Sequence, residues 1–182
     1  MKVIKTLTAG VFAALALFAT VDSAAPSTNL VATTTDTLSP WTFSLSGQGN
    51  STLNNNSTYK SSNVGAEFQL GYITKIVLPA EVGLRQTIGY SDASGDTWNM
   101  STKAFTDLTI IRVGNLEADA GGNFGTAYGS QTGDWTAAPE VVGRLYLKKD
   151  VDVFGRVEYP YDITKGASQD TLIYTLGIRV RF

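Results

Sequence analysis

From Trp41 to Phe182 the sequence alternates with a period of two, and it does so in eight separate segments. No other feature limits the fold as strongly. Successive side chains of a strand point to opposite faces, so such a period gives each segment one apolar and one polar face. In the first segment Trp41, Phe43 and Leu45 alternate with Thr42, Ser44 and Ser46; in the second Val64, Ala66, Phe68, Leu70 and Tyr72 stand opposite Gly65, Glu67, Gln69 and Gly71. The third sets Val82, Leu84, Ile88 and Tyr90 against Glu81, Arg85 and Thr87, with Gln86 breaking the apolar row. The fourth sets Trp98, Met100, Ala104, Leu108 and Ile110 against Lys103 and Asp107, and the small-residue fifth sets Leu116, Ala118, Ala120 and Phe124 against Glu117, Asp119 and Asn123. The sixth offers Val141, Leu145 and Leu147 against Arg144 and Tyr146, and the seventh Val153, Val157, Tyr159 and Tyr161 against Asp152, Phe154, Arg156 and Glu158. The eighth runs Leu172, Tyr174, Leu176, Ile178, Val180 and Phe182 against Thr175, Gly177, Arg179 and Arg181.

The connections alternate too. Asn50–Lys60, Ser91–Asp96, Gly125–Ala138 and Asp162–Asp170 are polar and rich in Asn, Ser, Gly and Thr, whereas the turns near Lys75–Pro79, Val113–Asn115 and Lys148–Asp150 are short. Short turns at one end and longer loops at the other predict an all-β fold, an up-and-down antiparallel transmembrane barrel of about eight strands.

Which face meets which solvent follows from the charges. The apolar rows hold no Asp, Glu, Lys or Arg, while the opposite rows hold Glu67, Glu81, Arg85, Lys103, Asp107, Glu117, Asp119, Arg144, Asp152, Arg156, Glu158, Arg179 and Arg181. A charged side chain facing lipid at mid-depth costs about 2–4 kcal/mol, so a clean row is what a lipid-facing surface requires. The charged row then lines a narrow lumen, with Glu67, Glu81, Arg85, Lys103, Asp107, Arg144, Arg156, Glu158 and Arg179 as its charge network. Aromatic rings sit at the ends of the apolar rows, where the boundary between hydrocarbon and head groups favours them. Trp41, Tyr72 and Phe182 mark the turn end, and Tyr90, Trp98, Tyr159, Tyr161 and Tyr174 the loop end.

The last strand carries Thr175, Gly177, Val180 and a final Phe182, a pattern of polar-x-Gly-x-x-apolar-x-Phe. It resembles the C-terminal signal of bacterial outer-membrane barrels, which implies the barrel-assembly machinery as a partner during biogenesis. Together with the strand pattern, the stretch from Trp41 to Phe182 resembles the small outer-membrane barrels of the OmpA transmembrane-domain, OmpX and OmpW kind. Segments such as Glu81-Val82-Gly83-Leu84-Arg85-Gln86, and Pro139-Glu140 followed by Gly143-Arg144-Leu145-Tyr146, are closer to porin-like barrels. The resemblance implies a fold and a place in the outer membrane, with membrane lipid as partner; it implies no ligand and no catalytic residue.

The N-terminus agrees with export. Lys2 and Lys5 precede the apolar run from Leu7 to Ala19, which is too short for a comfortable span of about 20 residues. Residues 1–23 read as a cleaved signal peptide, 24–40 as a flexible Ser- and Thr-rich lead-in, and 41–182 as the barrel.

The chain has no cysteine and no histidine, which removes disulfides, thiolate metal sites, the commonest metal ligand and the commonest general base. Charged residues make up 16% of the chain and its net charge is −2, which gives no footprint for nucleic acid. Asp92 with Asp96 reads as a loop tip and Glu117 with Asp119 as lumen lining. Ser91–Asp96 lacks the bidentate Glu of a calcium loop, and no helix pattern follows Gly121-Gly122-Asn123-Phe124-Gly125 to make it a phosphate-binding loop. No enzyme, cofactor or metal is expected. The expected function is a barrel with a mostly plugged lumen and a structural or surface-contact role. A small porin passing polar solutes is the alternative, and a secreted soluble barrel the weaker one.

Overall fold

The computed structural model describes residues 39–52, 64–75, 77–91, 97–129 and 134–182. They form ten strands: β1 (Trp41–Thr52), β2 (Val64–Lys75), β3 (Pro79–Ser91), β4 (Thr97–Val113), β5 (Leu116–Gly129), β6 (Trp135–Tyr146), β7 (Val151–Glu158), β8 (Tyr161–Asp162), β9 (Ala167–Ser168) and β10 (Thr171–Arg181). Strands β1 to β7 pair in chain order, β7 pairs with β10, and β10 closes the ring on β1. Every pairing is antiparallel, so the fold is an eight-stranded up-and-down barrel with no open edge in the ring.

The register fixes the shape of the ring. From Asn50 the cross-strand partners run through Ile173, Glu158, Glu140, Gly121, Asp107, Glu81 and Ile73. Ile73 N–H then donates to the Pro40 carbonyl, ten residues below the start. With strands ~4.8 Å apart and a rise of ~3.3 Å per residue, that stagger tilts the strands about 40° from the barrel axis. An eight-stranded ring is just wide enough inside for side chains to fill it.

The interior is built inside out. The buried apolar side chains are Ala80, Phe105, Ala138, Val142 and Phe154; the rest of the buried set is dominated by Ser, Thr, Asn, Gln and charged residues. Outside stand Phe43, Leu45, Phe68, Leu70, Leu84, Leu108, Val141, Leu145, Leu176 and Ile178, all exposed. An apolar belt of this kind, broken by the hydrogen-bonded pair Gln86 and Thr102, is not a usual surface for a soluble monomer. The two buried phenylalanine rings, Phe105 and Phe154, each lie across the ladder from a glycine. A Cβ on Gly83 would stand 2.7 Å from the Phe105 ring, and one on Gly177 2.8 Å from the Phe154 ring. These two glycines leave room for the two aromatics in a narrow lumen.

Three local features depart from the strict alternation. A bulge between Thr109 and Ile111 shifts the register of β4 on β5, so Ile110 and Ile111 both face outward, 61% and 57% exposed. The expected polar connection Gly125–Ala138 is mostly strand: β5 continues to Gly129 and β6 begins at Trp135. Small and polar residues suit those positions because alternate ones face the lumen, and the ladder overrides their weak strand propensity. The expected connection Asp162–Asp170 likewise contains the β8–β9 hairpin. Thr136–Asp162 continues the register of Glu140–Glu158, so β8 prolongs β7 past Pro160, which has no N–H to give. The hairpin tip ends on Gly166 with φ +66°, and Asp170, at φ +47°, turns the chain into β10. The expected loops Asn50–Lys60 and Ser91–Asp96 lie largely outside the described residues; β1 itself runs to Thr52 and β3 to Ser91.

Candidate functional site

Among the described residues, most of the chemistry-bearing side chains converge in the lumen. Period-two geometry sends Glu67 and Gln69 inward from β2, Glu81 and Arg85 from β3, Lys103 and Asp107 from β4, and Glu117, Asp119 and Asn123 from β5. Glu140 and Arg144 enter from β6, Asp152, Arg156 and Glu158 from β7, and Thr175 and Arg179 from β10. All are buried.

Some of the ion pairs follow the wall between neighbouring strands, and others cross the barrel. Arg85 donates to both oxygens of Glu140 at 2.6 and 2.7 Å, a fork-to-fork pair, and its other contacts are Gln69 Oε1 at 2.9 Å and Asp107 Oδ2 at 3.3 Å. Its guanidinium also lies 4.0 Å from the centre of the Phe105 ring. Arg156 donates to Glu67 at 2.6 Å, to Glu158 at 2.7 Å and to Thr175 Oγ1 at 3.2 Å. Lys103 reaches Glu158 at 3.0 Å, and Asn123 donates to both Glu140 and Glu158. Arg85–Glu140, Arg156–Glu67 and Lys103–Glu158 each join strands three apart in a ring of eight. Such pairs bridge almost the full width of the interior.

Nearer the turn end a second cluster forms around Glu81. Thr42 donates to its Oε1, and Arg144 and Arg179 both donate to Oε2. Arg144 also contacts Asp107, Glu117 and Asp119, while Arg179 donates to Asp152 at 2.8 Å and to the Tyr146 hydroxyl at 3.0 Å. Gln69 ties the two clusters together, accepting from Arg85 and donating to Glu81. Among the described residues no group of His, Cys, Asp and Glu side chains is arranged to hold a metal ion. Every lumen carboxylate named here has a cation in contact.

All nine residues expected in the lumen network are thus inside the barrel. Glu140, the partner of Arg85, is the member that alternation alone overlooked. Its signal was present, since Glu140 lies between outward Pro139 and outward Val141 and shares the phase of Arg144. Arg181, expected on the lumen row, is only half-buried and donates to the Ser39 carbonyl at 2.8 Å. Of the expected aromatics, Trp41, Tyr72, Trp98 and Tyr159 are exposed, while Tyr90 and Tyr174 are half-buried. Trp41 meets Tyr72 edge-on at 5.1 Å, and Tyr90 meets Trp98 at 5.3 Å. Trp135, expected in a loop, stacks on Phe124 at 5.0 Å at the loop end of β5 and β6. On β10, Thr175 and Gly177 face inward while Val180 and Phe182 face outward.

Above the loop end the β8–β9 hairpin carries a small charge group of its own. The Lys165 backbone N–H donates to Asp162 Oδ1 at 2.9 Å, which holds the Asp162 carboxyl below its ordinary range. The Lys165 amine bonds Asp134 and pairs with Asp162, and those bonds raise its own pKa.

No protein-family model and no curated protein matches the sequence. Among solved structures, the fold matches the crystal structure of Neisserial surface protein A, NspA, with a TM-score of 0.55. That match covers 80% of this chain and 99% of NspA at 16% identity. A de novo designed transmembrane β-barrel gives a TM-score of 0.46 at 14% identity, covering 79% of this chain and 97% of the design. These likenesses lie in the fold and do not single out the OmpA, OmpX or OmpW kinds. The chain has a closed, eight-stranded antiparallel barrel fold, similar to that of NspA.

Proposed function

We propose that this chain spans the outer membrane of a Gram-negative cell as a non-conducting barrel. In this reading its apolar belt is solvated by lipid, and its loop end, with the β8–β9 hairpin, is offered for contact at the cell surface. The observation that carries the reading is the set of crossing ion pairs: Arg85 with Glu140, Arg156 with Glu67 and Lys103 with Glu158 tie opposite walls together where a porin needs open water. The apolar belt and its aromatic ends support the membrane setting. The proposal includes export through a signal peptide at 1–23, and assembly through the Thr175, Gly177, Val180 and Phe182 pattern.

Two measurements test it. The folded chain should fractionate with the outer membrane and migrate at a lower apparent mass before boiling than after it, because a closed barrel resists detergent unfolding. Recovery in the soluble periplasm would remove the membrane reading. In planar bilayers the reconstituted protein should carry little steady current. Large, regular single-channel steps would show the charged lumen to be a solute path and replace this reading with a porin.

A further inference from the structure

We infer that the turn end of the barrel is a binding rim for the head groups of anionic phospholipids, held by Lys75, Lys148 and Lys149; the inference rests on the membrane reading above. Each of the three described turns places an exposed cation beside an exposed apolar side chain. Lys75, three residues beyond the girdle residue Tyr72, ends β2, and the turn after it carries Val77, 93% exposed, and Leu78. Arg112 and Val113 close β4, and Leu147 precedes Lys148 and Lys149 after β6. Only Asp150 in these turns opposes the cations. The described part of the loop end has the reverse balance, with Asp134, Asp162 and Asp170 against Lys165.

An apolar side chain next to a long cationic one suits the zone where acyl chains meet phosphates. The apolar group stays in hydrocarbon while the aliphatic stem of the lysine lies along it and delivers the ammonium to the phosphate level. Lys75 lies at the turn between β2 and β3 and Lys148 and Lys149 at the turn between β6 and β7, on opposite sides of the ring, so the lysines are spread around the rim rather than gathered on one side. A lipid annulus meets all of them at once; a protein partner docking on one side would not. Arg112 is left out of the lipid-binding set because its charge is already engaged. It pairs with Glu117 at 3.8 Å and stacks over the Tyr146 ring at 4.6 Å, offsetting the carboxylates at that end of the lumen.

A cation close to an anionic membrane surface favours binding by about fivefold, so three give an upper bound of roughly a hundredfold before salt screening. The test uses the full mature chain refolded into phosphatidylcholine bilayers holding a trace of spin-labelled lipid, and compares the motionally restricted fraction of labelled phosphatidylglycerol with that of labelled phosphatidylcholine. The expected result is a several-fold preference for phosphatidylglycerol that shrinks as salt rises and is lost in the triple variant K75Q/K148Q/K149Q. The salt series on the unmodified protein gives the same readout should the variant refold poorly. Equal association of the two lipids, or a preference that survives the triple substitution, overturns the inference and leaves the membrane reading intact. Failure to insert into bilayers of either composition would remove both.

Discussion

Arg85→Met should cost the folded barrel about 3–5 kcal/mol, read as a lower urea midpoint for the protein refolded into vesicles. Arg85 is 1% exposed and is the point where four strands meet: Glu140 of β6, Asp107 of β4 and Gln69 of β2 all accept from it, and Phe105 lies beneath it. Methionine fills much the same volume, so packing over Phe105 changes little. What changes is that Glu140 loses its forked partner and keeps the Asn123 hydrogen bond and the more distant Arg156, 3.8 Å away. A buried carboxylate stripped of its closest cation is the expensive half of a broken pair. Two companions separate charge from shape. Arg85→Lys keeps the charge but cannot make the fork, and should fall between wild type and Arg85→Met. Adding Glu140→Gln to Arg85→Met removes the stranded charge and should recover most of the loss. If Arg85→Met costs under about 1 kcal/mol, or the double variant is no more stable than the single, water reaches the lumen freely and the crossing pairs do not seal it.

Facing was legible in the sequence because charged and apolar residues fall on opposite phases of the alternation. That phase placed Arg85, Lys103, Arg156 and Arg179 inside, and all four are buried there. The sequence was weaker wherever that contrast faded. Near Trp135–Ala138 the inward residues are Thr136 and Ala138, which are neither charged nor large, so the start of β6 read as loop. At Ile110 and Ile111 two adjacent apolar residues were the trace of the bulge, but a run of two does not say which strand slips. Gly177 belonged to a terminal pattern in the sequence; the structure gives the same residue a packing reason in the Phe154 ring, which no one-strand pattern contains. Pairing partners are the general case of this. Alternation gives the face of a residue and says nothing of what stands across the lumen, so the Arg85–Glu140 fork had to come from the closed ring.

Leu84→Arg tests the opposite face of the same strand. Leu84 is 58% exposed, stands between Leu70 and Ala104 on the neighbouring strands, and lies inside the span from Val82, paired with Tyr72, to Tyr90, paired with Trp98. A guanidinium there meets acyl chains between the turn-end girdle and mid-depth with no carboxylate on its face, and the expected cost is about 1–3 kcal/mol in vesicle-refolded protein. In a soluble barrel the same substitution on a water-exposed site would change stability by no more than about 0.5 kcal/mol, which makes the sign and size diagnostic. Since the chain has no cysteine, single labels are unambiguous, and a fluorophore at Leu84→Cys can be compared with one at Thr87→Cys, whose side chain is 8% exposed on the lumen face. Quenchers carried on lipid chains should reach the label at 84 and spare the one at 87. The reverse pattern would mean that β3 is displaced by one residue against β2 and β4, so that Glu81 and Arg85 would face lipid and the network around them could not exist.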